Sequence, residues 1–141
     1  MRTFFGVAVL ALIVVAAAPR TAAADPARDA ILVDLAAKAK AADAGFSGFS
    51  AARGETLFRT KFGTGKPETP ACTTCHTDSP RAPGQTRAGK PIDPMAVSRT
   101  PNRFTDPRKV AKWFRRNCKS VLGRECTAQE KGDYITFMMS Q

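Results

Sequence analysis

Three residues within a run of five carry the most chemistry in this chain: Cys72, Cys75 and His76, in the order Cys72-Thr73-Thr74-Cys75-His76. Two thiols three positions apart can reach the two vinyl groups of one haem, and the imidazole that follows is then held over the same iron as its proximal ligand. The competing chemistries are a thioredoxin-like dithiol and half of a zinc site. The first calls for strand and helix alternation, which the surrounding sequence lacks. The second calls for more ligands, yet His76 is the sole histidine and the remaining thiols, Cys118 and Cys126, stand far along the chain. A Ser-His-Asp triad and a two-histidine metal site are short of parts for the same reason.

With no second imidazole, the other axial position of a haem needs a different donor. Once a leader is removed the methionines are Met95, Met138 and Met139. The last two fall in a terminal helix, where methionine is more often core than ligand, so Met95 is the alternative distal ligand. Asn117 competes with it. It falls on an apolar helix face, where a buried amide without a partner costs about 1–3 kcal/mol and is therefore hydrogen-bonded or ligated. Cys118 follows at once, and export with an even number of leftover thiols favours a Cys118–Cys126 disulfide over two free thiols.

The elements that must position these groups are helical, and no strand pattern or internal repeat is visible. Asp25 caps a first helix with Pro26 at its first position and Ile31, Leu35 and Ala39 on one stripe, ending near Gly45. Ser50 caps a second, with Leu57, Phe58 and Phe62 on its apolar face and Gly63 and Gly65 beyond it. Residues 67–107 hold eight of the ten prolines and read as a long loop, because proline fixes φ and removes a donor. A loop of this length in a small domain needs something to wrap. Asp106 and Pro107 then start a third helix with Val110, Trp113, Phe114 and Asn117 on one face and Arg108, Lys112, Arg115, Arg116 and Lys119 on the other. Thr127 and Glu130 have the spacing of a capping box before a terminal helix carrying Tyr134, Ile135, Phe137 and Met138. Trp113 and Phe114 are expected to wall the cofactor pocket or, as the preferred reading, fill the core beneath it.

The chain is 141 residues long with 22 Lys and Arg against 12 Asp and Glu, a formal charge of +10. Arg2, the uncharged apolar run from Phe4 to Ala18 and the small residues Ala22, Ala23 and Ala24 have the order of a secretory signal peptide, with cleavage expected after Ala24 and a bacterial periplasm as destination. The apolar run is shorter than the roughly 20 residues of a membrane-spanning helix, so no stable membrane anchor is expected. The domain reading is a signal peptide over residues 1–24 and a single haem-binding domain over 25–141, of which 25–48 form an N-terminal helical extension. From Arg81 to Arg124 only Asp93 and Asp106 are acidic among twelve basic residues. An exported chain does not meet nucleic acid, and a basic rim beside a haem would steer an acidic redox partner.

The spacing of these elements resembles a class I cytochrome c: an all-α fold with helices packed round one covalently attached haem c and a long proline-rich loop. In that fold a helix with a small residue, here Gly54 before Leu57 and Phe58, crosses an aromatic terminal helix, here with Tyr134 and Phe137. A closer resemblance is to the sphaeroides haem protein family of oxygen-binding cytochromes. It is carried by Gly65-Lys66-Pro67 with Cys72 to His76, Gly84-Gln85-Thr86-Arg87 and Ala88-Gly89-Lys90, Arg103-Phe104-Thr105-Asp106, Lys112-Trp113, Arg116-Asn117-Cys118, Gly123-Arg124 and Cys126-Thr127. This resemblance spans the chain from about Gly54 onward. It implies that Asn117 is a labile distal ligand, that Cys118 and Cys126 form a disulfide beside the haem, and that the iron opens to O2, NO or CO. It also implies a dihaem cytochrome c as reductant. The expected protein is a monomeric redox and gas-binding haem protein rather than a dedicated enzyme. The alternatives are an electron carrier with Met95 ligation and a haem reductase of oxygen or a small nitrogenous substrate, for which no distal acid-base pair is visible.

Overall fold

Among the described residues, each of the four longer helices starts at a local side-chain cap. The computed structural model describes residues 24–141, so the expected signal peptide lies, Ala24 apart, outside the described residues. Helix α1, Pro26–Ala42, begins where the Asp25 carboxylate accepts from the Ala27 and Arg28 amides. Helix α2, Ala51–Arg59, begins at Ser50, whose hydroxyl accepts from the Arg53 amide. A single turn, α3, spans Thr73–His76. Helix α4, Pro107–Leu122, is capped by Asp106 and ends at Gly123, whose φ of 72° is left-handed and so suits glycine. Helix α5, Ala128–Met139, carries the complete capping box, with Thr127 bonding the Glu130 amide and the Glu130 carboxylate returning to the Thr127 amide.

Helix α5 packs chiefly on α2 and also on α1. The crossing with α2 is made at Gly54, where an added Cβ would stand 2.0 Å from the Asp133 carbonyl oxygen and 2.8 Å from the Phe137 Cβ. Phe58, Tyr134 and Phe137 meet beside that crossing, with Phe58 and Phe137 ring centres 5.8 Å apart. The pair is bolted by Asp133, which is buried and accepts from the Ser50 amide and from Arg53. On α1, Ile31, Leu35 and Ala39 are buried as the stripe predicts, and Arg28, one turn earlier on that stripe, is fully buried with them.

Residues 60–106 are irregular apart from α3 and a two-stranded antiparallel ribbon, β1 (Gly84–Gln85) with β2 (Pro91–Ile92), in register Gly84 to Ile92. This ribbon corrects the strand-free expectation. Its strands are two residues long and the second begins on proline, so neither leaves a period-2 pattern to read. The loop is also less free than its prolines suggest: Thr86 and Gly89 bond within it, Ala96 donates to the Pro80 carbonyl, and Val97 donates to the Met138 carbonyl on α5.

Candidate haem site

Cys72, Cys75 and His76 are brought together by the single turn α3, closed by bonds from the Cys75 and His76 amides to the Cys72 carbonyl. Thr77 then turns the chain away with a φ of 59°, a left-handed conformation unusual for a β-branched residue. The three side chains line a cavity of about 670 Å³, within the range of roughly 300–1,000 Å³ usual for small-molecule and cofactor sites. Its other walls come from the loop through Met95 and Arg103, from α4 through Trp113, Phe114 and Asn117, and from α5 through Tyr134. A shallower depression of about 440 Å³ between α2 and the start of α5 is lined by Arg53, Thr56 and Glu130, among others, and holds neither thiol nor imidazole.

Burial favours the neutral form of both His76 and Cys72. Burial first, and then the positive charge of Arg103, push the His76 pKa down to about 4, so the ring is neutral at pH 7 and its lone pair is free to donate. His76 Nδ1 is buried with no hydrogen-bond partner among the described residues. Burial pushes the Cys72 thiol up to about 11, so it stays protonated at neutral pH, unlike the acidic thiols of dithiol redox sites. Among the described residues no three His, Cys, Asp or Glu side chains converge as an ionic metal site would need. Cys118 and Cys126 are bonded to one another, with S–S 2.02 Å and Cα atoms 5.6 Å apart.

Asn117 is an exposed side chain on the cavity wall with no side-chain hydrogen bond to the described residues, so of its two expected roles, hydrogen-bonded amide or ligand, the first is not met within the protein. The apolar stripe to which it belongs faces the cavity along part of its length instead of the core. Trp113, for which core was the preferred reading, is 51% exposed at the cavity rim, with the Lys112 Nζ 5.7 Å and the Arg116 Cζ 5.2 Å from its ring centre. Phe114 does enter the core, edge-on to Tyr134 at 5.5 Å. Met95 is buried and lines the same cavity.

Sequence reasoning missed Arg28. Arg28 Nε donates to the Arg103 carbonyl at 3.0 Å and its Nη2 donates to the Pro101 carbonyl. The available signal was its i, i+3 spacing to Ile31.

Comparison with known proteins agrees with this geometry. Residues 44–138 match a family described as a domain of unknown function (DUF1924). The chain is 52% identical over 91 residues to the cytochrome c-type sphaeroides haem protein of Cereibacter sphaeroides, covering 64% of this chain and 70% of that one. It is 35% identical over 89 residues to cytochrome c'' of Methylophilus methylotrophus, covering 62% of each. The solved structure of the oxidised sphaeroides haem protein, described as an oxygen-binding cytochrome c, superposes with a TM-score of 0.74 at 43% identity, over 81% of this chain and 96% of that one. Oxidised cytochrome c'' superposes with a TM-score of 0.68 at 29% identity, over 79% and 92%. The cofactor of such proteins fits the residues present, since a neutral imidazole with an unpartnered buried nitrogen and a protonated thiol adjoin one cavity. The all-α fold with its irregular centre, the cavity and these matches together make the chain a haem c-carrying cytochrome of the sphaeroides haem protein family.

Proposed function

We propose that this chain is an exported, periplasmic monohaem cytochrome c that takes up an electron and, when reduced, binds O2 or another diatomic gas. In this reading Cys72 and Cys75 carry the two thioethers, His76 is the proximal iron ligand and Asn117 is a distal ligand that detaches on reduction. Haem c supplies a reversible one-electron change and an axial position for a small ligand. The observation that carries the reading is the unpartnered amide of Asn117 on the cavity wall, one residue before a cysteine bonded to Cys126. An amide oxygen is a hard, weak donor that matches ferric iron better than ferrous iron, so reduction loosens Asn117. The Cys118–Cys126 disulfide holds that turn of α4 in place, as an oxidising compartment allows. Further support comes from the relative described as an oxygen-binding cytochrome c.

The basic face of α4, with Arg108, Lys112, Arg115, Arg116 and Lys119 all exposed, is suited to an acidic redox partner such as a dihaem cytochrome c, whose approach is steered most at low salt. One observation favours a second reading: Met95 is buried in the same wall, as an electron carrier with methionine ligation would need. Absorption spectra of oxidised and reduced protein with and without CO separate the two. The proposal expects a high-spin ferrous form that binds CO readily and an altered ferric spectrum in Asn117→Val. A low-spin ferrous form, a methionine-to-iron charge-transfer band in the ferric form, or an Asn117→Val spectrum identical to wild type overturns it.

A further inference from the structure

One guanidinium group lines this site and a second holds the backbone behind it, and neither has a part in the roles above. Arg103 is half-buried and lines the cavity. Its Nε donates to the Pro94 carbonyl at 3.1 Å and its Nη2 to the Asp93 carbonyl at 2.6 Å. These bonds fix the group but leave its charge uncompensated. It makes no ion pair with any described carboxylate. Of the two acids at the cavity, Asp93 has an exposed side chain, and Asp106 is engaged in capping α4 through the Arg108 and Lys109 amides. A partly desolvated cation needs an anion at hydrogen-bonding distance, and the cavity's occupant, haem c, carries two propionate carboxylates. A guanidinium suits such a group because it can donate in parallel to both carboxylate oxygens.

Arg28 accounts for why Arg103 stands there. Fully buried on α1, it donates from Nε and Nη2 to the carbonyls of Arg103 and Pro101. The next residue, Phe104, has a φ of 62°, a left-handed conformation that a residue with a Cβ resists unless its surroundings hold it. Arg28 thus grips the backbone from which the Arg103 side chain departs, and the Arg103 side chain in turn grips the backbone just before Met95. We propose that Arg103 is the clamp for a haem propionate, and that Arg28, which lies ahead of the residues matched by the family, is the positioning residue that aims it. The inference depends on haem c but not on Asn117 or on gas binding, so it stands or falls separately from the gas-binding function.

The test uses the holoprotein, with the midpoint potential and the propionate bands of the redox infrared difference spectrum as readouts. Arg103→Gln removes a positive charge beside the haem, which lowers the potential and moves a propionate band toward that of a solvated carboxylate. Arg28→Lys keeps the charge but loses the two-pronged grip, so the same band shifts with less change in potential. Combining it with Arg103→Gln adds nothing further to the band, because Arg28 acts through Arg103. If Arg103→Gln leaves both potential and bands at their wild-type values, the clamp is wrong. If Arg28→Lys changes only the melting temperature, or its band shift adds in full to that of Arg103→Gln, Arg28 is a structural residue and the positioning role is wrong.

Discussion

Replacing Gly54 by alanine sets helix propensity against packing, and the distances decide which wins. Alanine in the interior of α2 is favoured over glycine by about 1 kcal/mol. The new Cβ, however, would stand 2.0 Å from the Asp133 carbonyl oxygen and 2.8 Å from the Phe137 Cβ. Both obstacles belong to α5, one to its backbone and one to the root of a core side chain, so no rotamer change relieves them. The helices must part by at least about 1 Å to reach tolerable contact. Parting loosens the Phe58, Tyr134 and Phe137 cluster and strains the bonds from Ser50 and Arg53 to the Asp133 carboxylate. Overpacking of this kind costs about 1–3 kcal/mol, and a weakened buried hydrogen-bond set adds about 1–3 kcal/mol. Net of propensity, Gly54→Ala is expected to destabilise by about 1–5 kcal/mol, a fall in Tm on the order of 4–20 °C for a domain of this size. The control is Gly63→Ala, where nothing lies within 4 Å of the added atom. Thermal and urea melts followed by far-UV circular dichroism, with the haem absorbance as a second probe, make the comparison. A Gly54→Ala melt equal to that of Gly63→Ala would refute the close-crossing argument.

Two further outcomes concern the α4–α5 corner. Arg124 beside Glu130, helped by the Thr127 amide, holds the Glu130 carboxyl below its ordinary value of 4.5, so its stabilising contribution is present above pH 4.5 and is lost as pH falls through the lower folded-state value. Wild type and Glu130→Gln are therefore expected to differ in Tm at pH 7 and to converge as the pH falls below 4.5 and through the lower folded-state value; a constant gap from neutral to strongly acidic pH would contradict this. The Cys118–Cys126 link spans a sequence separation of 8, for which chain entropy gives about 2–3 kcal/mol. Cys118→Ser with Cys126→Ser should lower the urea midpoint accordingly and broaden the ferric haem spectrum through a less constrained Asn117, whereas an unchanged midpoint would show that the closed loop contributes nothing.

What was legible in the sequence is what is decided locally. Asp25, Ser50, Asp106 and Thr127 cap their helices as expected because a cap needs only two or three neighbouring residues. Cys72 to His76 is readable for the same reason. Gly54 was legible only through family resemblance, since its role depends on a carbonyl 79 positions later. Arg28 was illegible as a site residue because its carbonyl partners lie 73 and 75 positions on, and a charged side chain on an apolar stripe ordinarily reads as the edge of that stripe. Trp113 was placed on the correct face of α4 and, in the preferred reading, given the wrong surroundings. Periodicity reports which residues turn away from bulk solvent, but it does not distinguish a protein core from a cofactor cavity.

The C-terminal end of α4 is stitched to the segment that precedes Cys72. The Lys66 amide and the Thr69 hydroxyl donate to the Ser120 carbonyl, and the Thr64 hydroxyl donates to the Leu122 carbonyl, taking up carbonyls that a helix end otherwise leaves open. Gly123 presses so closely on the Thr64 carbonyl that a Cβ there would stand 2.1 Å from it. The strand of chain leading to one side of the cavity and the helix forming the other side are thus a single mechanical frame, braced at one end by these bonds and by the disulfide. Such a frame has no hinge between its two jaws. On the proposed function, release of Asn117 would accordingly be a rotation of one side chain about its own bonds, with the travel of a few ångströms and the speed of a rotamer change, and not the swing of a helix.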